Sequence, residues 1–301
     1  MAITMNTLCF ECQLRKKLKL ARELGTDEQA TVFGREMMQM LTQAPEGMDS
    51  TQFGALAEEL LRKHFPVGPD RLKEEKELSN RFVLERYDAI REKVEAAADP
   101  LFLALQYAIQ GNYIDFSALQ GEVSFEQLEQ LLFEAPNLQL DRAAYEAFLA
   151  DVAKARKFLY LTDNAGEIVL DRLFAEQLQK SYPDLEIMFC VRGAPAFNDA
   201  LREDAEAIGL PFPVIDNGTN VGGTPIARLG AEAKQALDDA DVIFAKGMGN
   251  VESMYGCGYN VYYAFLVKCD RLIQVFQKEK LTPMLLRERT VCADNAAHGV
   301  G

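Results

Sequence analysis

Residues 157–167 read KFLYLTDNAGE, and here the periodicity of the chain changes from helical to that of a buried strand. A short apolar run that ends in an acidic turn is typical of a strand in a parallel sheet. The same design recurs at 186–193, 212–218 and 241–247, and more weakly at 262–268. Helical patterns at 167–181, 195–208 and 226–240 separate the first four runs. This alternation predicts βαβ units and a parallel sheet over residues 151–301.

The chain before residue 151 has the spacing of helices, with apolar residues three or four apart among charged ones. The helical segments that this spacing predicts are 14–24, 30–41, 52–63, 70–98, 125–132 and 141–155. Segment 70–98 contains no proline or glycine, which predicts one long amphipathic helix. We therefore expect an α/β protein with an all-helical domain at 1–150 and a catalytic sheet domain at 151–301.

Composition narrows the class of protein. Of the 301 residues, 49% are hydrophobic, which is enough for a large core. No apolar run reaches about 18 residues, so a membrane span is not expected. The first residues lack the order of a secretory signal, so the expected location is the cytoplasm. The net charge of −14 argues against nucleic acid as a partner.

Histidine and cysteine usage limits the chemistry. The chain has six cysteines and two histidines, so neither a disulfide framework nor a multi-histidine metal site is expected. Catalysis should then depend on carboxylates, amides, lysine and arginine. Cys9 and Cys12 have the spacing of metal ligands, and Cys257, Cys269 or Cys292 would have to complete such a site. Two ordinary thiols on a helix remain the alternative.

The carboxyl ends of the predicted strands carry a polar constellation. Ligands of open parallel sheets bind beyond these ends. The residues that follow the four runs are Asp163-Asn164-Ala165-Gly166-Glu167, Arg192-Gly193, Asp216-Asn217-Gly218 and Lys246-Gly247-Met248-Gly249-Asn250. Asn198 and Asp199 are predicted in the first turn of the next helix. The four turns should meet at one edge of the sheet.

These residue types favour metal-assisted hydrolysis of a phosphomonoester. Carboxylate and amide oxygens suit magnesium or manganese, and a lysine in a glycine-rich turn suits phosphate. The plainer alternative is that Asp163 and Asn164 cap a helix and that residues 216–218 form a simple turn. Residues 247–249 do not open a dinucleotide motif, because Glu252 stands where its third glycine belongs. No P-loop motif occurs.

Three segments carry a family resemblance. DNAGEIVLD (163–171), VRGAPAFNDA (191–200) and AKGMGNVES (245–253) resemble the damage-control phosphatase family, also known as domain-of-unknown-function family 89. CFEC (9–12) and GNYIDF (111–116) resemble its CxxC-bearing prokaryotic subfamily. The resemblance covers essentially the whole chain. It implies a helical N-terminal part, a Rossmann-like α/β/α domain and a metal-dependent phosphatase that acts on unwanted or damaged phosphometabolites.

The resemblance also implies roles for residues. Asp163, Asn164 and Asp199 would bind a divalent metal (manganese, magnesium, cobalt or nickel), and Lys246 would meet the substrate phosphate. The other substrate-site candidates are Glu167, Arg192, Asn198, Gly247, Asn250 and, from the helical half, Asp115. Asp163 or Asp199 would act as nucleophile or base, and the sequence does not decide between them. Met248 departs from the glutamine that the family pattern has there.

The working hypothesis is a phosphatase for small phosphorylated metabolites, with sugar phosphates as one possibility and a homo-oligomer left open. A methyltransferase using S-adenosylmethionine is the leading rival enzyme. It would need a glycine-rich turn after the first strand, where this chain has DNAGE. A module that binds a metal or metabolite without turnover is the other alternative. Asn112 and Asp115 would reach the cleft, although a helix-ending turn explains them almost as well.

Overall fold

A computed structural model of the chain describes residues 3–113, 130 and 136–288. The α-helices in these residues are α1 (Thr7–Leu24), α2 (Asp27–Gln43), α3 (Ser50–His64), α4 (Lys73–Leu84), α5 (Tyr87–Glu95), α6 (Pro100–Gln110), α7 (Arg142–Val152), α8 (Glu167–Ser181), α9 (Arg202–Ala207), α10 (Ala231–Asp239), α11 (Gly247–Met254) and α12 (Asp270–Phe276). The strands are β1 (Lys157–Leu161), β2 (Glu186–Val191), β3 (Val214–Asp216), β4 (Val242–Lys246), β5 (Val261–Leu266) and β6 (Pro283–Arg287). Short 3₁₀ turns occupy Gly111–Tyr113 and Ile226–Arg228.

The strands form one sheet in the order β3-β2-β1-β4-β5-β6. The first five strands are parallel, and β6 runs antiparallel to β5 at the edge. The parallel α/β architecture predicted from the sequence is confirmed. The direction of strand succession reverses between β1 and β4, and open sheets of this kind bind their ligands at such a reversal.

Helices cover both faces of the sheet, and alternation along β1 shows how the sequence achieves this. Phe158 and Tyr160 point to one face, where they join a core formed with α4 to α8. Leu159 and Leu161 point to the other face and pack with residues of α10, α11 and α12. Side chains of successive strand residues alternate between faces, so a strand buried on both sides must be apolar throughout.

The N-terminal helices divide into two groups. Helices α1 to α3 enclose a separate core that contains Phe33, Met37, Phe53 and Leu61. Helices α4 to α6 share the core of the sheet, and α6 lies along α8. One continuous core therefore crosses residue 150, where the sequence predicts a domain boundary.

Some of the predicted elements differ from the structure. Segment 70–98 is two helices, because the chain turns at Glu85 and Arg86 between α4 and α5. Segment 195–208 is helical only at Arg202–Ala207, and strand β6 was not predicted. The helix predicted at 125–132 lies outside the described residues except at Gln130. No helix in the described part of the chain is long and apolar enough to cross a membrane.

Candidate active site

The turn after β1 places Asp163 and Asn164 at the point where the strand order reverses. Gly166 ends this turn with a φ of +79°, a backbone conformation that side chains other than glycine rarely adopt. A Cβ on Gly166 would also lie 2.9 Å from Cβ of Ser79. The Gly166 amide donates to Oδ1 of Asn80 at 2.6 Å, so helix α4 holds the turn in place.

Asp199 lies beside this turn in a short strand-like pairing. Asn164 and Asp199 form an antiparallel β-bridge. The amide of Ala165 donates to the carbonyl of Asn198 at 2.9 Å, and the amide of Ala200 donates to the carbonyl of Asp163 at 2.8 Å. The prediction that Asn198 and Asp199 lie in a helix is therefore wrong, because these backbone groups pair with the first turn instead. The pairing brings the three predicted metal ligands together.

The guanidinium group of Arg192 holds the carboxylate of Asp199 in place. Its Nε donates to Oδ2 of Asp199 at 2.5 Å, and its Nη2 donates to the carbonyl of Thr162 at 3.1 Å and to Oδ1 of Asn250 at 3.4 Å. The side chain is only 1% exposed. Its Nη1 is buried and has no hydrogen-bond partner among the described residues. This unsatisfied donor belongs to the same guanidinium group that holds Asp199.

Two amides bind the carboxylates of Asp163 and Glu167 together. Nδ2 of Asn112 donates to Asp163 Oδ2 at 2.8 Å and to Glu167 Oε2 at 2.9 Å. Nδ2 of Asn164 donates to the same two oxygens at 2.8 and 3.0 Å. Asn112 lies in the 3₁₀ turn after α6, so the helical half of the chain completes this cluster. Lys268 Nζ donates to the carbonyl of Asn112 and anchors that turn to the end of β5.

Lys246 lies beneath the cluster and is completely buried. Its Nζ donates to Glu167 Oε1 at 2.6 Å, to Asp171 Oδ1 at 2.6 Å and to the carbonyl of Ala108 at 2.7 Å. Burial lowers the pKa of Lys246, but Asp171 and Glu167 outweigh that effect, so its pKa is raised and it stays charged. All three donors of the ammonium group are used. The predicted contact with a phosphate would require Lys246 to release one of these partners.

The start of α11 packs directly against the first turn. Gly247 has a φ of +75°, and a Cβ there would lie 1.9 Å from Oδ2 of Asp163. Asn250 is fully buried, and its Nδ2 donates to the carbonyls of Thr162 and Lys246 at 3.0 and 2.7 Å. Asn250 therefore joins β1 to β4, and Glu167 is likewise buried beneath the surface. Both were predicted to touch substrate, and the structure uses both to hold neighbouring groups.

The oxygen donors fit a hard divalent cation. Burial raises the pKa of Asp163 well above its usual range, and the nearby carboxylates of Glu167 and Asp199 add to the rise. Negative charge is thus concentrated here, and a cation would neutralise it. No three Cys, His, Asp or Glu side chains within the described ranges are arranged to hold a metal. The predicted ligands Asp163, Asn164 and Asp199 include only two such residues, and Asn164 would contribute an amide oxygen.

Two residues of this cluster were not identified from the sequence, and one residue that was predicted cannot be placed. Asp115 lies outside the described residues. Asp171 was not singled out, although it lies one helical turn after Glu167 and therefore on the same face of α8. Lys268 follows β5, so inspection of the end of the fifth strand would have found it. A cavity of about 900 Å³ lies at the amino ends of β1 and β2, near Lys157 and Phe212, whereas the candidate site lies at the carboxyl ends of the strands.

The cysteine pair lies where α1 meets α12. Cys9 is buried on α1, and Sγ of Cys269, at the start of α12, lies 3.8 Å from Oε1 of Glu252. Among the described residues, Cys9, Cys12, Cys257 and Cys269 form no disulfide. Cys292 lies outside the described residues. The proposed metal role of the pair stays a prediction.

Comparisons with known proteins show which family the chain resembles. The family model of the damage-control phosphatase ARMT1-like domain matches residues 5–282. An uncharacterised protein of Methanocaldococcus jannaschii is 29% identical over 87% of this chain and 88% of its own length. A damage-control phosphatase of Pyrococcus horikoshii is 30% identical over 62% of this chain and 65% of its own length.

A solved structure of a family member has the same fold. The crystal structure of a DUF89 family protein from Pyrococcus horikoshii superposes with a TM-score of 0.81 and 26% sequence identity. The match covers 94% of this chain and 99% of that one. A family model that spans nearly the whole sequence, together with this shared architecture, assigns the chain to the damage-control phosphatase ARMT1-like (DUF89) family.

Proposed function

We propose that this chain is a divalent-metal-dependent phosphatase that hydrolyses small phosphorylated metabolites. The observation that carries the proposal is the β-bridge between Asn164 and Asp199, which places three oxygen-bearing side chains at the reversal point of the sheet. The curated relatives named damage-control phosphatase support hydrolysis of a phosphoester. Sugar phosphates are the substrate class that we would test first.

Asp163, Asn164 and Asp199 are the residues that would hold the metal. A bound divalent cation polarises a phosphoryl oxygen and lowers the pKa of coordinated water. The amides of Asn112 and Asn164 hold the Asp163 carboxylate, and Arg192 holds that of Asp199. Both carboxylates are thus oriented before a ligand arrives, which limits the reorganisation that binding requires.

The substrate phosphate would meet positive groups of the chain. Arg192 Nη1 lacks a partner within the described residues, and a phosphate oxygen would satisfy it. The amides at the start of α11 follow Gly247, and helix N-termini favour anions. Lys246 forms ion pairs with both Glu167 and Asp171 beneath the site, which makes it a positioning residue in this proposal.

Phosphate release from p-nitrophenyl phosphate, after chelation and with manganese restored, tests the proposal. We expect release only with the metal, and none from Asp163→Ala or Asp199→Asn. Asp239→Ala removes a half-exposed carboxylate that pairs with Lys157 at the amino end of β1, far along the strand from the site, and should retain full activity. Tight binding of manganese and phosphate without release from any phosphoester would identify a binding module instead. A panel of sugar phosphates then ranks substrates by kcat/KM.

A further inference from the structure

A strained aromatic residue lies two positions before Asp199. Phe197 has a φ of +51°, in the left-handed region that bulky side chains rarely adopt. The amide of Asp199 donates to the carbonyl of Ala196 at 3.0 Å, so residues 196–199 form a closed turn. Turns whose first central residue has positive φ usually place glycine there. A phenylalanine at this position therefore requires an explanation.

The ring of Phe197 is held between two glycines from different parts of the fold. A Cβ on Gly54, in the interior of α3, would lie 3.0 Å from Cζ of the ring. A Cβ on Gly222 would lie 3.2 Å from Cδ2 of the ring and 3.8 Å from Oδ1 of Asp199. Glycine is costly inside a helix, and contact with the ring accounts for it at Gly54. The same loop glycine, Gly222, borders both the ring and the predicted metal ligand.

A buried charge network holds the ring from the helical side. Nζ of Lys17, on α1, lies 4.9 Å from the ring centroid, and the residue is 4% exposed. A cation over an aromatic face is attracted by the ring. Lys17 is paired with Glu58 of α3, and Glu58 also lies 3.3 Å from Nη2 of Arg71. Helices α1 and α3 thus contact the Asp199 loop through one side chain.

We propose that Phe197 is a positioning residue, through which the α1–α3 helices fix the carboxylate of Asp199 for metal binding. The inference rests on the proposed function, because it assigns Asp199 to the metal. The contacts of the ring with Gly54 and Lys17 compensate for the strained backbone at Phe197. The turn that contains Phe197 then holds Asp199 beside Asn164. The helical unit then contributes to metal affinity without supplying a ligand.

Two variants test the role of the ring: one removes the ring, and the other changes a residue that contacts it. Phe197→Gly removes the ring while permitting the same backbone conformation, so a turn fixed by backbone alone would be preserved. Gly54→Ala leaves the active-site loop unchanged in sequence but pushes a methyl group against the ring. Alanine has a higher helix propensity than glycine, which offsets part of the cost of this tight contact, so the variant should remain folded.

The measurement is the dissociation constant of manganese by calorimetry on the full chain, with phosphate release measured in parallel. We expect both variants to bind manganese about 10- to 100-fold more weakly, the usual effect of losing a group that orients a metal ligand. Gln277→Gly is the matched control for the first, since Gln277 has the same φ of +51° at the exposed C-terminal end of α12. Gly34→Ala, in α2, is the control for the second.

The outcomes are distinguishable. Wild-type affinity in both Phe197→Gly and Gly54→Ala overturns the positioning role while leaving the phosphatase proposal intact. A wild-type chain that neither binds manganese nor releases phosphate overturns the proposed function and this inference with it. If Phe197→Gly fails to fold by circular dichroism, Gly54→Ala alone decides.

Discussion

Gly247 must be glycine, because any side chain at this position would overlap the carboxylate of Asp163. Replacing Gly247 with alanine should place a methyl group on the Asp163 carboxylate and displace it. We expect kcat/KM to fall by about 100-fold or more, because small displacements of a reacting group have effects of this size. Gly258→Ala is the control: Gly258 has a φ of +82°, but no atom of the described residues would lie within 4 Å of the added Cβ. That variant should lose some stability and no activity.

Lys246 carries the second residue-scale prediction. Lys246→Met would leave the carboxylates of Glu167 and Asp171 buried without their cation. Breaking a buried ion pair by removing one partner costs about 3–5 kcal/mol, so we expect a fall of that order in the free energy of unfolding. Lys157→Met removes a solvent-exposed pair with Asp239, which water screens, so its stability should stay close to that of the wild type. Urea unfolding measures both. An unchanged midpoint for Lys246→Met would contradict the network.

The sequence predicts which residues lie at the site better than which of their atoms remain available. The strand-end rule found Asp163, Asn164 and Lys246 because it depends only on chain direction. It could not show that Lys246 is fully occupied, since one partner is the carbonyl of Ala108, 138 positions away. Likewise, Asn112 was weighed only as a candidate, because its partners come from another half of the chain.

At the scale of elements, helix α4 controls the turn after β1 through one amide. Asn80 accepts from Gly166 and donates to Oδ1 of Asp204 at 2.8 Å, so it joins α4 to two elements of the sheet domain. Asn80→Ala should lower the free energy of unfolding by about 2 kcal/mol, because the Gly166 amide would stay buried and unpaired. It should also reduce kcat/KM. Asn220→Ala, which removes an exposed amide bonded to Glu59, should change stability by less than about 0.5 kcal/mol.

Element boundaries departed from the sequence pattern where tertiary contacts outweighed local preference. Segment 70–98 lacks a breaker, yet the guanidinium of Arg86 stacks 3.9 Å from the ring of Phe82 and bonds its carbonyl, closing α4. The break lets Val83 and Ile90, on successive helices, both enter the core. Residues 195–201 pair with the turn after β1 rather than forming helix. These contacts are distant in sequence, so periodicity alone cannot reveal them.

Across the whole molecule, the junction between the α1–α3 helices and the sheet domain should respond to pH. Burial raises the pKa of Glu252 to about 7, and the carboxylate of Asp49 adds to the rise. The folded state therefore holds a proton that the unfolded state releases above about pH 4.5. Since the folded state binds more protons in this window, the free energy of unfolding falls as pH rises from about 4.5 to 7.

Glu252→Gln should remove this dependence. Above pH 7 the variant should exceed the wild type in unfolding free energy by an amount on the order of 2 kcal/mol, and near pH 4 the two should agree. Urea unfolding across this range measures the difference. Glu11→Gln, on the exposed side of α1, controls for the loss of one surface carboxylate. A constant difference at all pH values would refute the assignment.

The shared core of α4 to α6 and the sheet has a practical consequence for anyone dissecting the chain. A fragment starting at residue 151 would uncover Phe158 and Tyr262, whose rings pack against Phe148 of α7, along with the buried ammonium of Lys246. Such a surface promotes aggregation. Expression trials should therefore keep α4 to α6 with the sheet. A truncation that removes only α1 to α3 leaves the shared core intact, because these helices have a core of their own.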